Sequence, residues 1–184
     1  EYFARPAEPG TPQTVSVAPA PELVFVGSMD WLPNEEGVAW FIDEVLPLIR
    51  RKRPECRLAV VGRTPTPRIL DYARRDPGII VTGTVPDIRP YLWSAKVSIV
   101  PLRIAGGTRL KIYESMAAET AIVSTTIGAE GLEIHPPGDI RIADDAPTFA
   151  AECLDLLENA AERERMARQA RAMVLQFYGS LDAD

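Results

Sequence analysis

Six consecutive residues, Gly106, Gly107, Thr108, Arg109, Leu110 and Lys111, followed three positions later by Glu114, carry the strongest chemical signal in this sequence. Paired glycines accept backbone angles that aim successive N–H groups at one point. Thr108 is a competent N-cap, so the spacing predicts a helix from Arg109 to Ala118 whose unpaired N–H groups face the same point. Such an arrangement binds anions, and phosphate is its commonest biological occupant. Arg109 and Lys111 would lie in the first turn, where the helix dipole disfavours a cation by about 0.3–1 kcal/mol each. A diphosphate would supply the missing negative charge. Gly107, Lys111, Glu114 and Ala118 fall on one helical stripe. Glu114 thus sits about one turn below the anion, placed to accept hydrogen bonds from ribose hydroxyls, as an acidic residue does in dinucleotide folds. The plainer alternative is an exposed Lys111–Glu114 pair worth roughly 0.2–0.5 kcal/mol beside a capped glycine loop.

Other groups have chemistry in reach but a structural use as well. Ser28 and Asp30 follow the first expected strand and suit either a ligand or a turn. Trp31 and Trp40 could stack a base, although the spacing of Trp40 with Val38 and Phe41 favours core packing. Arg63, after the second strand, reads as a phosphate or base neighbour or as a solvated loop charge. Glu130 suits a cleft wall or a cap. The cluster Arg50 to Arg53 complements a helix C-terminus, with anionic lipid as the rarer partner. His135 is the lone histidine, so a zinc site or a histidine-based triad has almost no raw material, and no metal or cofactor is expected. Cys56 and Cys153 are too few for a disulfide framework and fit a reducing, cytoplasmic setting.

The elements that must position these residues are legible as an alternation. Expected strands begin at Leu23, Arg57, Ile79, Val97, Ala121 and Ile140, and the first two close on Gly27 and Gly62. Between them lie helical patterns: Glu35 to Lys52 with Asn34 as cap and Pro47 as an expected kink, Arg68 to Arg75, Asp87 to Ser94, and Arg109 to Ala118. Two helices close the chain, near Pro147 to Glu158 and Ala161 to Phe177. Strands alternating with helices imply an α/β, Rossmann-like, doubly wound parallel sheet of six strands, with ligands bound beyond the carboxyl ends of the strands. Five prolines within the first 21 residues mark a linker over residues 1–22, leaving a domain over 23–178 and a tail over 179–184. A net charge of −6 gives no support to nucleic-acid binding, and no apolar run is long enough to span a bilayer. The opening residues read as neither a signal peptide nor a natural start.

Taken together, the runs from Leu23 to Gly37, Val60 to Arg63, Val81 to Leu92, Gly106 to Lys111 and Ile122 to Leu132 resemble the C-terminal domain of family-4-like glycosyltransferases of the GT-B fold (glycosyl transferases group 1). The resemblance extends from the hinge-like opening to about Tyr178 and is closest to members that build exopolysaccharide and cell-surface glycans. It implies a retaining enzyme that binds a UDP- or GDP-sugar between two Rossmann-like halves, this half holding the nucleotide. On that basis Gly106 to Lys111 receive the diphosphate, Glu114 matches the ribose-binding second Glu of a Glu-x7-Glu motif, and Val85 sits where backbone meets the base. Ser28 and Arg63 are further neighbours of the base at the sheet edge. Two positions depart from the pattern. The first Glu of the motif falls on Gly106, and the Arg and Lys that many members carry after the first strand are missing between Ser28 and Glu36, so Arg109 and Lys111 are expected to supply that charge. The acceptor site is assigned to a missing N-terminal half, through which peripheral membrane association is open, and the isolated half is expected to be inactive. The alternatives are a non-catalytic Rossmann-like module or degenerate half and, further off, a nucleotide-sugar epimerase. Nicotinamide binding is rejected, because Gly27 is not followed by a G-x-G-x-x-G pattern.

Overall fold

The computed structural model describes residues 2–5, 20–107 and 109–178, with Tyr178 described by its backbone alone. Six strands form one sheet: β1 Leu23–Val26, β2 Leu58–Val61, β3 Ile79–Val81, β4 Val97–Val100, β5 Ala121–Ser124 and β6 Arg141–Ile142. Their order is β3-β2-β1-β4-β5-β6 and every pairing is parallel. The register Leu23–Leu58 and Leu23–Val97 sets β1 between β2 and β4 at the centre.

The strands are apolar at nearly every position because both faces are covered. Leu23 and Phe25 of β1, with Leu58 and Val60 of β2, enter the larger core beneath the first and last helices. Their alternate neighbours Val24, Ala59 and Val61 pack on the opposite face with Tyr91 and Leu92 of α4 (Arg89–Ser94). On the larger side Phe149, from α6 (Ala146–Glu158), meets Trp40 and Phe41 edge-on at 5.8 and 5.7 Å between ring centroids. The closing helix α7 (Ala160–Tyr178) adds Met166, Ala170 and Val174 to the same core. The doubly wound α/β sheet expected from the sequence is the observed fold.

Three local differences bear on function. The first helix starts at Leu32, not at Glu35: α1 runs Leu32–Trp40 with Pro33 in its first turn, where a proline needs no N–H partner. Asn34 therefore lies inside the helix and is buried, free of the capping role. A π-turn then spans Phe41–Val45, with the Leu46 N–H reaching back to the Phe41 carbonyl, before α2 (Leu46–Arg50). This is how the chain absorbs Pro47: the widened turn relieves the ring of its clash with the preceding carbonyl. The third difference is at α5, which runs Leu110–Ala117 with Arg109 at the N-cap position. Thr108, the cap expected from the sequence, lies outside the described residues, as does most of the expected linker and all of the expected tail. The helix α3 (Pro67–Arg75) is capped as its sequence suggests, the Thr66 hydroxyl accepting from the Ile69 N–H at 3.3 Å.

The Arg50 to Arg53 cluster divides: Arg51 and Lys52 are exposed, as a solvated helix end would have them, whereas Arg50 and Arg53 are paired. Arg50 pairs with Asp76 and donates to the Cys56 carbonyl at 3.0 Å, and Arg53 reaches Glu22 at 2.6 Å. These links tie α2 to the amino ends of the strands, on the edge away from the glycine loop.

Candidate functional site

The strand order reverses between β1 and β4, and the loops leaving their carboxyl ends diverge to open a cleft of about 560 Å³. Gly27 lines it, closely backed by Gly62. Gly27 ends β1 and Gly62 ends β2, and a Cβ on Gly62 would fall within 2.6 Å of the Gly27 carbonyl carbon. A Cβ on Gly27 would lie 2.9 Å from Asn34 Nδ2 and 3.0 Å from Lys111 Nζ. Glycine at 27 is thus what admits those two side chains. Gly37 lets α1 approach the loop after β4, since a Cβ there would stand 2.7 Å from the Pro101 carbonyl oxygen. One wall comes from Ser28, Asp30 and Trp31, the other from Leu102, Gly106, Gly107 and the first turns of α5.

Lys111 is the central group. Its ammonium donates to Asn34 Oδ1 at 2.5 Å and stands 4.7 Å from the centre of the Phe25 ring. Asn34 in turn donates from Nδ2 to the Ser28 carbonyl at 2.8 Å, which fixes the amide with its oxygen toward the lysine. Burial pushes the Lys111 proton affinity down to about 8, the nearby Arg109 adds to this, and Glu114 opposes it. Beneath, the Ser115 hydroxyl donates to the Lys111 carbonyl at 2.8 Å, so its partner at 2.8 Å, Ser98 of β4, must donate to Ser115. This buried chain bolts the first turns of α5 to the centre of the sheet. Glu114 lines the same cleft, and burial raises its proton affinity against the pull of Lys111. Among the described residues it has no hydrogen-bond donor, which leaves its oxygens available to a ligand.

Arg63 enters from the loop after β2. Its Nε donates to the Ser28 hydroxyl at 3.0 Å, and that hydroxyl is also bonded to Asp30. Ser28 and Asp30 so orient a guanidinium on the cleft wall. The next residue, Thr64, holds φ 54°, a left-handed conformation that is costly for a β-branched side chain.

The profile of the family described as glycosyl transferases group 1 matches residues 20–159. The chain belongs to that family. Among curated proteins, an uncharacterized 44.6 kDa protein in the cps region of Klebsiella pneumoniae is 22% identical over 165 residues, a match covering 86% of this chain and 42% of the relative. The chain therefore spans less than half the length of that relative. Among solved structures, the C-terminal domain of the group 1 family protein LpcC from Francisella tularensis superposes with a TM-score of 0.71 at 20% identity, covering 86% of this chain and 88% of that one. HepE from Anabaena, solved in complex with UDP and glucose, gives 0.68 at 16% identity over 85% of this chain and 44% of its own. These likenesses establish the fold, a GT-B C-terminal domain.

Within this group 1 domain the residues singled out from sequence separate into two sets. Ser28, Arg63, Gly106, Gly107, Leu110, Lys111 and Glu114 come together around the cleft. Arg109 and Val85 do not line it. The Arg109 guanidinium folds back to the carbonyls of Gly106 and, at 3.2 Å, Gly107, and meets Glu130 at 3.5 Å. It braces the glycine loop and does not face the cleft. Val85 packs with the smaller core beyond β3, two strands from the switch point. His135 is a loop residue whose backbone N–H donates to Asp139 at 2.8 Å. The residue that sequence reasoning missed is Asn34. No spacing links positions 34 and 111, but Pro33 was the available signal that the helix begins early enough to turn Asn34 inward.

Proposed function

We propose that this chain is the donor-binding half of a glycosyltransferase that takes a UDP- or GDP-sugar and serves surface-polysaccharide assembly. The diphosphate lies against Gly106, Gly107 and the N–H groups of Leu110 and Lys111, with the Lys111 ammonium beside it. The ribose hydroxyls donate to Glu114, and the base extends toward Ser28 and Arg63, the latter also close enough to share the phosphate charge. One observation carries the reading: a half-buried ammonium faces the cleft with a neutral amide as its hydrogen-bond partner. Burial and the nearby Arg109 lower its proton affinity against the pull of Glu114, and a diphosphate beside it would supply a direct countercharge. HepE, of like fold, is described with UDP-glucose, and the Klebsiella relative lies in a cps region, which supports the nucleotide and the polysaccharide context respectively. Transfer proceeds with retention, driven by orientation of donor and acceptor and by stabilisation of the departing diphosphate. The groups that bind the acceptor lie beyond this chain, as does any peripheral membrane contact. No described helix is long and apolar enough to cross a membrane.

Calorimetric titration with UDP and GDP tests the reading, alongside a Lys111→Ala, Glu114→Ala double variant checked for folding by circular dichroism. Binding of one nucleotide, lost in the folded variant, is expected. A folded wild-type chain that binds neither, or a variant that binds as well as wild type, would overturn it. Sugar transfer by the purified chain alone would overturn the assignment of the acceptor site elsewhere.

A further inference from the structure

Trp31 is 47% exposed, whereas Trp40 is 8% exposed and packed in the core. Its backbone is fixed: its carbonyl accepts from the N–H groups of Asn34 and Glu35 at 2.9 and 3.2 Å, at the start of α1. Its indole lies across the glycine loop on the opposite wall. A Cβ on Gly106 would stand 3.3 Å from Cζ2, and one on Gly107 would stand 3.3 Å from Nε1. Both glycines hold positive φ, 137° and 74°, so the loop is shaped for the absence of side chains beneath the ring. A large aromatic surface is thus set in a fixed place on the cleft wall and left half in water.

The order of groups along α5 says what would meet it. This step rests on the donor reading above. Glu114 lies three residues, about 4.5 Å, below Lys111 along the helix, and Gly106 and Gly107 stand ahead of the first helical residue. A donor with its ribose on Glu114 and its diphosphate at Lys111 carries its sugar past the helix N-terminus, over the two glycines and against the indole. A pyranose ring presents a face of C–H groups that packs on an aromatic surface while its hydroxyls stay hydrogen-bonded at the edge. We propose that Trp31 is the platform for the sugar moiety of the donor, and that it contributes to donor choice from the place where position 106 offers no carboxylate.

The test is calorimetry on the whole chain as wild type, Trp31→Ala and Trp31→Phe, with UDP, UDP-glucose, UDP-galactose and UDP-N-acetylglucosamine, and with GDP and GDP-mannose if guanine is preferred. The quantity read is the affinity ratio of sugar nucleotide to bare nucleotide. Trp31→Ala should lower that ratio about three- to tenfold while the bare nucleotide changes less than about twofold, and Trp31→Phe should keep most of it. Equal weakening of both ligands would mean base stacking or a structural role and would overturn the proposal. So would an unchanged ratio, or a wild-type chain that binds no sugar nucleotide more tightly than its nucleotide. A wild type that binds no nucleotide at all is read separately: it removes the donor reading, and the platform with it.

Discussion

Raising the pH from 7 to 9 should weaken nucleotide binding about tenfold through Lys111 alone. In the free chain its ammonium loses its proton near pH 8. A diphosphate beside it would return that value toward the ordinary lysine range of about 10.4. A group whose proton affinity rises on binding contributes affinity that is fully present below the free value and is lost as pH climbs through it. With a free value of about 8, the protonated fraction falls from about nine-tenths at pH 7 to about one-tenth at pH 9, equivalent to about 1.4 kcal/mol. Titrations at pH 8.5 in buffers of different ionisation enthalpy should register an uptake of about three-quarters of a proton. The uracil ring of UDP titrates at the top of this range, so the same series on Lys111→Met supplies the baseline to subtract. Wild type and Lys111→Met with equal pH slopes, or no proton uptake, would refute the reasoning. The sign reverses for folding without ligand. A lysine whose proton affinity is lower in the folded chain destabilises that chain at neutral pH, and stability should rise between about pH 8 and 10.5. Lys111→Met should accordingly melt higher, by about 1–3 kcal/mol of stability, while binding the nucleotide more weakly than wild type but still measurably.

Gly62→Ala should cost about 3 kcal/mol or prevent folding, because the added carbon meets the Gly27 backbone, which has nowhere to go; thermal denaturation reads this, and a change under about 1 kcal/mol would contradict it. Arg109→Met should weaken nucleotide binding about tenfold by freeing the Gly106 and Gly107 carbonyls, whereas Glu130→Gln, whose contact to Arg109 is long and whose own carboxylate is exposed, should change it less than about twofold. Glu22→Gln should lower stability by about 1–2 kcal/mol at neutral pH. Burial of Glu22 acts to raise its proton affinity, but Arg53 and Lys96 outweigh it and hold the carboxyl below its ordinary value. Its contribution is therefore present above the ordinary glutamate range and lost as pH falls through the lowered value, so the two melting curves should converge in acid.

Much of this architecture was legible because it is written in local patterns. Runs such as Leu23 to Val26 and Ala121 to Val123 are apolar at every position, a signature of strands covered on both faces, and Gly106 with Gly107 announces a loop that takes positive φ. What escaped depends on where long side chains turn. Nothing in the neighbours of Arg109 says that its guanidinium will satisfy two carbonyls of its own loop instead of a phosphate. Nothing near Lys111 announces the Phe25 ring and the Asn34 amide, which reach it from elements some eighty positions earlier. Val85 was placed by resemblance; it follows β3, an outer strand, and is not among the residues lining the cleft.

The back-to-back approach of Gly27 and Gly62 has a consequence for how such a cleft can diverge. Two facing glycines offer no side chain to exchange: a carbon added at Gly62 meets the Gly27 backbone, and one added at Gly27 meets Asn34 and Lys111. On the proposed donor role, new preferences would have to be acquired at the rim, at Ser28, Trp31, Arg63 and Leu110, while the two glycines pass unaltered from one specificity to the next. A mutational library confined to those four positions samples the tunable part of the domain without touching what holds it together.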